Sequence, residues 1–129
     1  RWTSPRAGYP ATRAGYHAWR NALKNMHAER AGAIVAAAGY DAATVARVQS
    51  LVRKENLKAD AEAQALEDVA CLVFLRHYAG AFAAKHDDEK LKTILARTWS
   101  KMSAAGHTAA LSIDLPPRLA GLLKQVLAG

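Results

Sequence analysis

Five side chains able to carry positive charge, Arg13, His17, Arg20, Lys24 and His27, recur at spacings of four, three, four and three. On an α-helix that rhythm sets them along one side for about four turns. No acid stands among them. Cations aligned in this way repel one another, and an anion laid against them relieves the repulsion. Arg47, Arg53 and Lys54, followed by Lys58, repeat the theme, and Arg47 and Lys54 share a face at a spacing of seven. The chemistry these residues could do is the holding of an anion such as phosphate; the other reading of the stripe is a solvated face.

A second feature is acidic. In "QALEDVACLVFL", Gln64 to Leu75, Glu67 and Asp68 precede an almost unbroken apolar run. Helical spacing groups Asp68 with Cys71, Leu72 and Leu75, and Glu67 with Ala70, Cys71 and Phe74. An unpaired buried carboxylate is costly, so at least one of the two requires a cation, a metal or a donor. Arg20, Lys24, His27, Arg47, Arg53 and Lys54 are the candidate cations. Asp68 is expected to meet one from the first two helices, either at a ligand site or as a buried pair that fixes helix register.

No nucleophile stands out. Ser50 and Ser103 have no legible histidine and acid around them, and Cys71 reads as core. "RAGAIVAAAG" lacks the Lys-Ser/Thr ending of a phosphate loop. His86-Asp87-Asp88 reads as a helix start, and His77 and His107 as surface or packing histidines.

The elements that must position these groups are helices. The 129 residues are 51% hydrophobic, enough for one globular domain with a core. A formal charge of +7 points to anionic partners, nucleic acid among them. The single cysteine fits a reducing, cytoplasmic setting. No stretch approaches the roughly 20 apolar residues that span a bilayer, so no membrane partner is expected. The chain begins on Arg1-Trp2 without Met, which suggests the C-terminal part of a longer protein.

Residues 1–10, with two prolines, read as an extended arm, and residues 11–129 as one all-α domain of about five helices. Thr12 caps the first helix and Gly39 stops it. Asp41 caps the second, and Asp60 caps a third that runs to about Lys85. A fourth follows "HDDEK" and ends at "SAAGH", and Pro116-Pro117 opens the last. The expected core is Trp19, Leu23, Val48, Leu51, Leu72, Phe74, Leu75, Leu91, Leu95 and Trp99.

The segments "PRAGYP", "RAGYHAWR", "HAER", "RVQSLVRKENLK", "LEDVACLVFL", "KHDDEKL", "TWSKMS" and "GH" resemble those of domain-of-unknown-function family 4202, from about residue 1 to residue 115. Members usually have further sequence ahead of Arg1, including a histidine. Some carry a glutamyl-tRNA synthetase label, although this chain has no synthetase nucleotide-binding signature. More distantly, about half the chain resembles the His-Asp (HD) metal-dependent phosphohydrolases. His27 with Glu29 is similar to their opening histidine and acid, Gly39-Tyr40 to their turn, and Glu67-Asp68 to the region of their final aspartate. The departures are Lys54 where a histidine belongs, Ala70 where the aspartate might fall, and the absence of the His-Asp pair itself.

That resemblance implies a degenerate HD-like domain. A phosphorylated small molecule or nucleotide would lie against Arg20, Lys24, His27, Arg47 and Lys54, while Glu67 and Asp68 hold the cations in place. No metal is expected in this chain, and no cofactor is assigned. The alternatives are a metal-dependent phosphohydrolase completed by upstream residues, and an RNA-associated module using Trp2, Tyr9 and Tyr16.

Overall fold

Thr12 opens the first helix as its spacing predicts. In the computed structural model, which describes residues 2–129, the Thr12 hydroxyl accepts the Gly15 amide at 3.0 Å and starts α1, Arg13–Ala37. The helix ends ahead of Gly39, whose φ of +94° turns the chain. Asp41 then accepts the Thr44 amide at 2.8 Å and starts α2, Ala42–Val52. Beyond α2 the chain turns through Lys54 and Asn56, both at positive φ. Asp60 caps α3, Ala61–Val73, which continues through a π turn, Phe74–Tyr78, into α4, Ala79–Ala83. Asp87 accepts the Lys90 amide at 2.8 Å and starts α5, Asp88–Ser100. The last two helices are α6, Ala104–Leu111, and α7, Pro117–Ala128, with Pro117 in the first turn.

The class is all-α, and no strand occurs among the described residues. Taking α3, the π turn and α4 as one continuous helix makes six helices among the described residues, apart from a short 3-10 turn at Arg6–Gly8 in the arm, against the five expected. The additional one is α6. The segment "SAAGH", the expected end of the fourth helix, is instead the start of α6, with Ser103 as its N-cap and Gly106 inside the helix for a steric reason. A Cβ there would stand 2.7 Å from the Asp68 carboxylate. Gly106 is small because α3 delivers an acid to it.

The chain packs as two compact units, residues up to Leu57 and residues from Lys58. In the first, α1 packs on α2, with Leu23, Ala28 and Gly32 buried on α1. The arm is docked on α1. Trp19 donates its indole N–H to the Ser4 carbonyl at 3.1 Å, and the Pro10 carbonyl lies where a Cβ of Gly15 would be, which accounts for that glycine. Trp19, Val48 and Leu51 of the expected core are half-buried.

The second unit holds the contiguous apolar core. Cys71, Leu75, Ala79 and Ala83 pack with Leu91, Leu95, Met102, Ala110, Leu119, Leu122 and Leu123. Leu72, Phe74 and Trp99 are half-buried against it. The first four recur at a constant spacing of four. In a regular α-helix each such step overshoots a full turn by about 40°, so three steps would carry the side chains off the face. The wider π turn absorbs that drift and keeps all four on the core.

Candidate functional site

All five members of the first cationic stripe lie on α1, with Arg13, His17 and Arg20 exposed and Lys24 and His27 half-buried. Among the described residues, Arg13, Arg20 and Lys24 have no hydrogen-bond or ion-pair partner. The second helix contributes Arg47, half-buried, and ends on Arg53, whose Nε donates to Asn25 Oδ1 at 3.2 Å. That bond brings the end of α2 beside α1 at the residue next to Lys24. Lys54 follows, exposed and at φ +60°. A helix C-terminus favours positive charge, so part of this placement serves α2 itself. Arg53, absent from the expected ligand set, is thus beside α1.

His27 is turned towards the arm. Its Nε2 meets the Trp2 carbonyl, and the two rings lie 5.6 Å apart at a tilt. A carbonyl only accepts, so Nε2 carries the proton and Nδ1 remains for another partner. The Arg30 guanidinium lies 6.0 Å over the Trp2 ring. Trp2 and Tyr16 are nonetheless about half exposed, at 48% and 46%, and Tyr16 meets His17 edge-on.

The charge is unevenly divided. Up to Leu57 the sequence carries nine Lys and Arg against three acids, and from Lys58 nine against eight. Six of the seven net positive charges therefore fall in the first unit.

Asp68 corrects an expectation. The carboxylate expected to meet a cation of the first two helices, or His27, is bound within its own unit. It accepts the Ser103 amide at 2.8 Å, the Ser103 hydroxyl, and the Gln64 side-chain amide at 3.0 Å. Three donors satisfy the carboxylate, and no cation among the described residues is in contact with it. Burial pushes its pKa up, but the Ser103 hydroxyl and amide, Gln64 and the charge of His107 together bring it below the usual aspartate value. The Ser103 hydroxyl also accepts the Gly106 amide at 3.2 Å, so it is the cap of α6. His107, one turn on, stacks on Trp99 at 4.0 Å and reaches the Trp99 carbonyl at 2.8 Å. Serine, acid and histidine thus gather where the sequence showed no such grouping, yet both roles of the hydroxyl are taken up in capping. The arrangement ties α3, α5 and α6 together.

Glu67 is buried on α3, 6% exposed, and among the described residues no buried side-chain nitrogen or oxygen lacks a hydrogen-bond partner. Nor, among those residues, do three of His, Cys, Asp and Glu converge as a metal site would require. At His86-Asp87-Asp88, Asp87 caps α5 and Asp88 pairs with Arg118 at 2.8 Å, the structural role expected of a helix start. None of the helices among the described residues is long and apolar enough to cross a membrane.

The model of one family, domain of unknown function DUF4202, matches residues 1–123. The chain belongs to the DUF4202 family. No curated protein and no solved structure matches it. The match to the DUF4202 model takes in the docked arm, the cationic stripe, Asp68 and the Ser103 cap.

Proposed function

We propose that this DUF4202 protein binds a phosphate-bearing small molecule of nucleotide type on the cationic side of its first unit. On this reading it is a degenerate relative of the HD phosphohydrolases that keeps the anion and dispenses with the metal. The observation that carries the reading is the placement of charge. Six of seven net charges fall in residues 1–57, and Arg13, Arg20 and Lys24 lie along one helix side without a partner among the described residues. Arg20, Lys24 and His27 supply donors from α1, Arg47 from α2, and Arg53 and Lys54 from the turn that follows it. Lys54 stands where the HD resemblance expects a metal-binding histidine, and a lysine there favours phosphate and repels a cation. Trp2 and Tyr16 offer ring faces to a base beside the phosphate, which favours a nucleotide over inorganic phosphate. Asp68 is no part of this face, and Glu67 is given no role in it.

Anisotropy of a fluorescent adenosine triphosphate analogue, competed with unlabelled nucleotide and with single-stranded RNA across a salt series, tests the reading. Nucleotide competing at least as well as RNA is the expected result. RNA competing far better, with affinity falling steeply as salt rises, would favour the RNA-associated reading. Hydrolysis of the nucleotide, together with one tightly held divalent ion in the protein, would favour the phosphohydrolase.

A further inference from the structure

Two adjoining recesses open on the second unit, with volumes of about 390 and 500 Å³. Both are in the size range of small-molecule pockets. They share Arg76, Ala109 and Ile113. The smaller is mostly apolar, walled by Val69, Leu72 and Val73 together with His77, and the larger adds Ser112 and Asp114.

Arg76 and Asp114 line the same recess with opposite charges and do not pair. Among the described residues neither side chain has a hydrogen-bond or ion-pair partner. Arg76 lies in the π turn and is exposed, while Leu75, its neighbour, stays in the core. Such turns recur at functional sites. Two opposite charges that line one recess without pairing complement a molecule that carries both. A guanidinium fork matches a carboxylate, and a carboxylate takes an ammonium. A simple anion would leave Asp114 opposing it, and a phosphate would oppose it more strongly.

We infer that this recess binds a free α-amino acid with an apolar side chain. Its carboxylate lies on Arg76, its ammonium on Asp114, and its side chain against Val69, Leu72 and Ile113. The site belongs to the other unit from the proposed nucleotide face, so each can fail without the other.

Heteronuclear NMR titration of the full chain tests it, with L-leucine, isocaproate (leucine without the amine) and isoamylamine (leucine without the carboxylate). Leucine should give saturable shifts at Arg76, Ala109 and Asp114. Arg76→Gln and Asp114→Asn should each weaken it by about tenfold, the loss of one charge-assisted contact, as should each truncated compound. Both side chains are exposed, so the rest of each variant's spectrum should stay unchanged. No saturable shift with leucine, or isocaproate binding as tightly as leucine, would overturn the assignment.

Discussion

Asp68 and Ser103, 35 residues apart in the chain, share two hydrogen bonds, one from the Ser103 amide at 2.8 Å and one from its hydroxyl. The same hydroxyl caps α6 by accepting the Gly106 amide. The start of α6 is therefore clamped from α3, and removing either partner frees more than one group. Asp68→Ala should lower stability by about 2 kcal/mol and Ser103→Ala by about 1 kcal/mol, in line with lost side-chain hydrogen bonds and a lost cap. Urea denaturation of both and of the double variant should show a coupling of about 1 kcal/mol between them. Strictly additive effects would contradict the clamp.

The clamp also sets a pH dependence. The folded pKa of Asp68 is below its ordinary value, so the unfolded chain takes up the proton first as pH falls. The stabilisation is then present above the unfolded value, about 3.9, and is lost as pH drops through the lower folded value. Asp68→Asn has no such titration. The stability gap between wild type and Asp68→Asn should be widest near neutrality and narrow steadily below about pH 4. A gap that stays constant down that range would rule the mechanism out.

Gly106→Ala should reverse the usual helix rule. Alanine ordinarily gains up to about 1 kcal/mol over glycine inside a helix. At Gly106 the new Cβ would collide with the Asp68 carboxylate at 2.7 Å, whereas at Gly80 and Gly121 nothing lies within 4 Å. Thermal melts should show Gly106→Ala destabilised by about 1–3 kcal/mol and Gly80→Ala and Gly121→Ala unchanged or more stable. In an Asp68→Ala background the penalty at Gly106 should largely vanish.

What the sequence could and could not disclose follows from the range of each interaction. Thr12, Asp41 and Asp60 were legible as caps because a cap bonds an amide two or three residues away. Pro117 and Gly39 were legible for the same local reason. Gly106 misled because its cause is an acid 38 positions earlier in the chain, and no periodicity carries that. The π turn was hidden likewise, since a spacing of four at Cys71, Leu75, Ala79 and Ala83 reads as ordinary helix. Of the proposed site, the α1 stripe was visible as a rhythm. The concentration of net charge in residues 1–57 emerged only once the division at Leu57 was known. Asp68 is legible as a carboxylate that needs partners, but Ser103, which supplies two of its donors, is 35 residues away in the chain and no local pattern links them.

Docking of the arm is open to a direct check. Trp19→Phe keeps the ring and removes the N–H that reaches the Ser4 carbonyl. The expected result is a loss of about 1 kcal/mol and faster tryptic cleavage after Arg6. Cleavage at the wild-type rate would mean that this bond does not hold the arm.

The proposed nucleotide face is tested most directly by calorimetric titration of adenosine triphosphate, and of adenosine, into wild type, Arg20→Glu and Lys24→Glu. Both side chains lack partners among the described residues, so charge reversal should leave the fold intact while altering the face. The account predicts saturable binding of the triphosphate to wild type, much weaker binding of adenosine, and a loss of at least about tenfold in each variant. Equal affinity for triphosphate and adenosine, or variants that bind as wild type does, would contradict it.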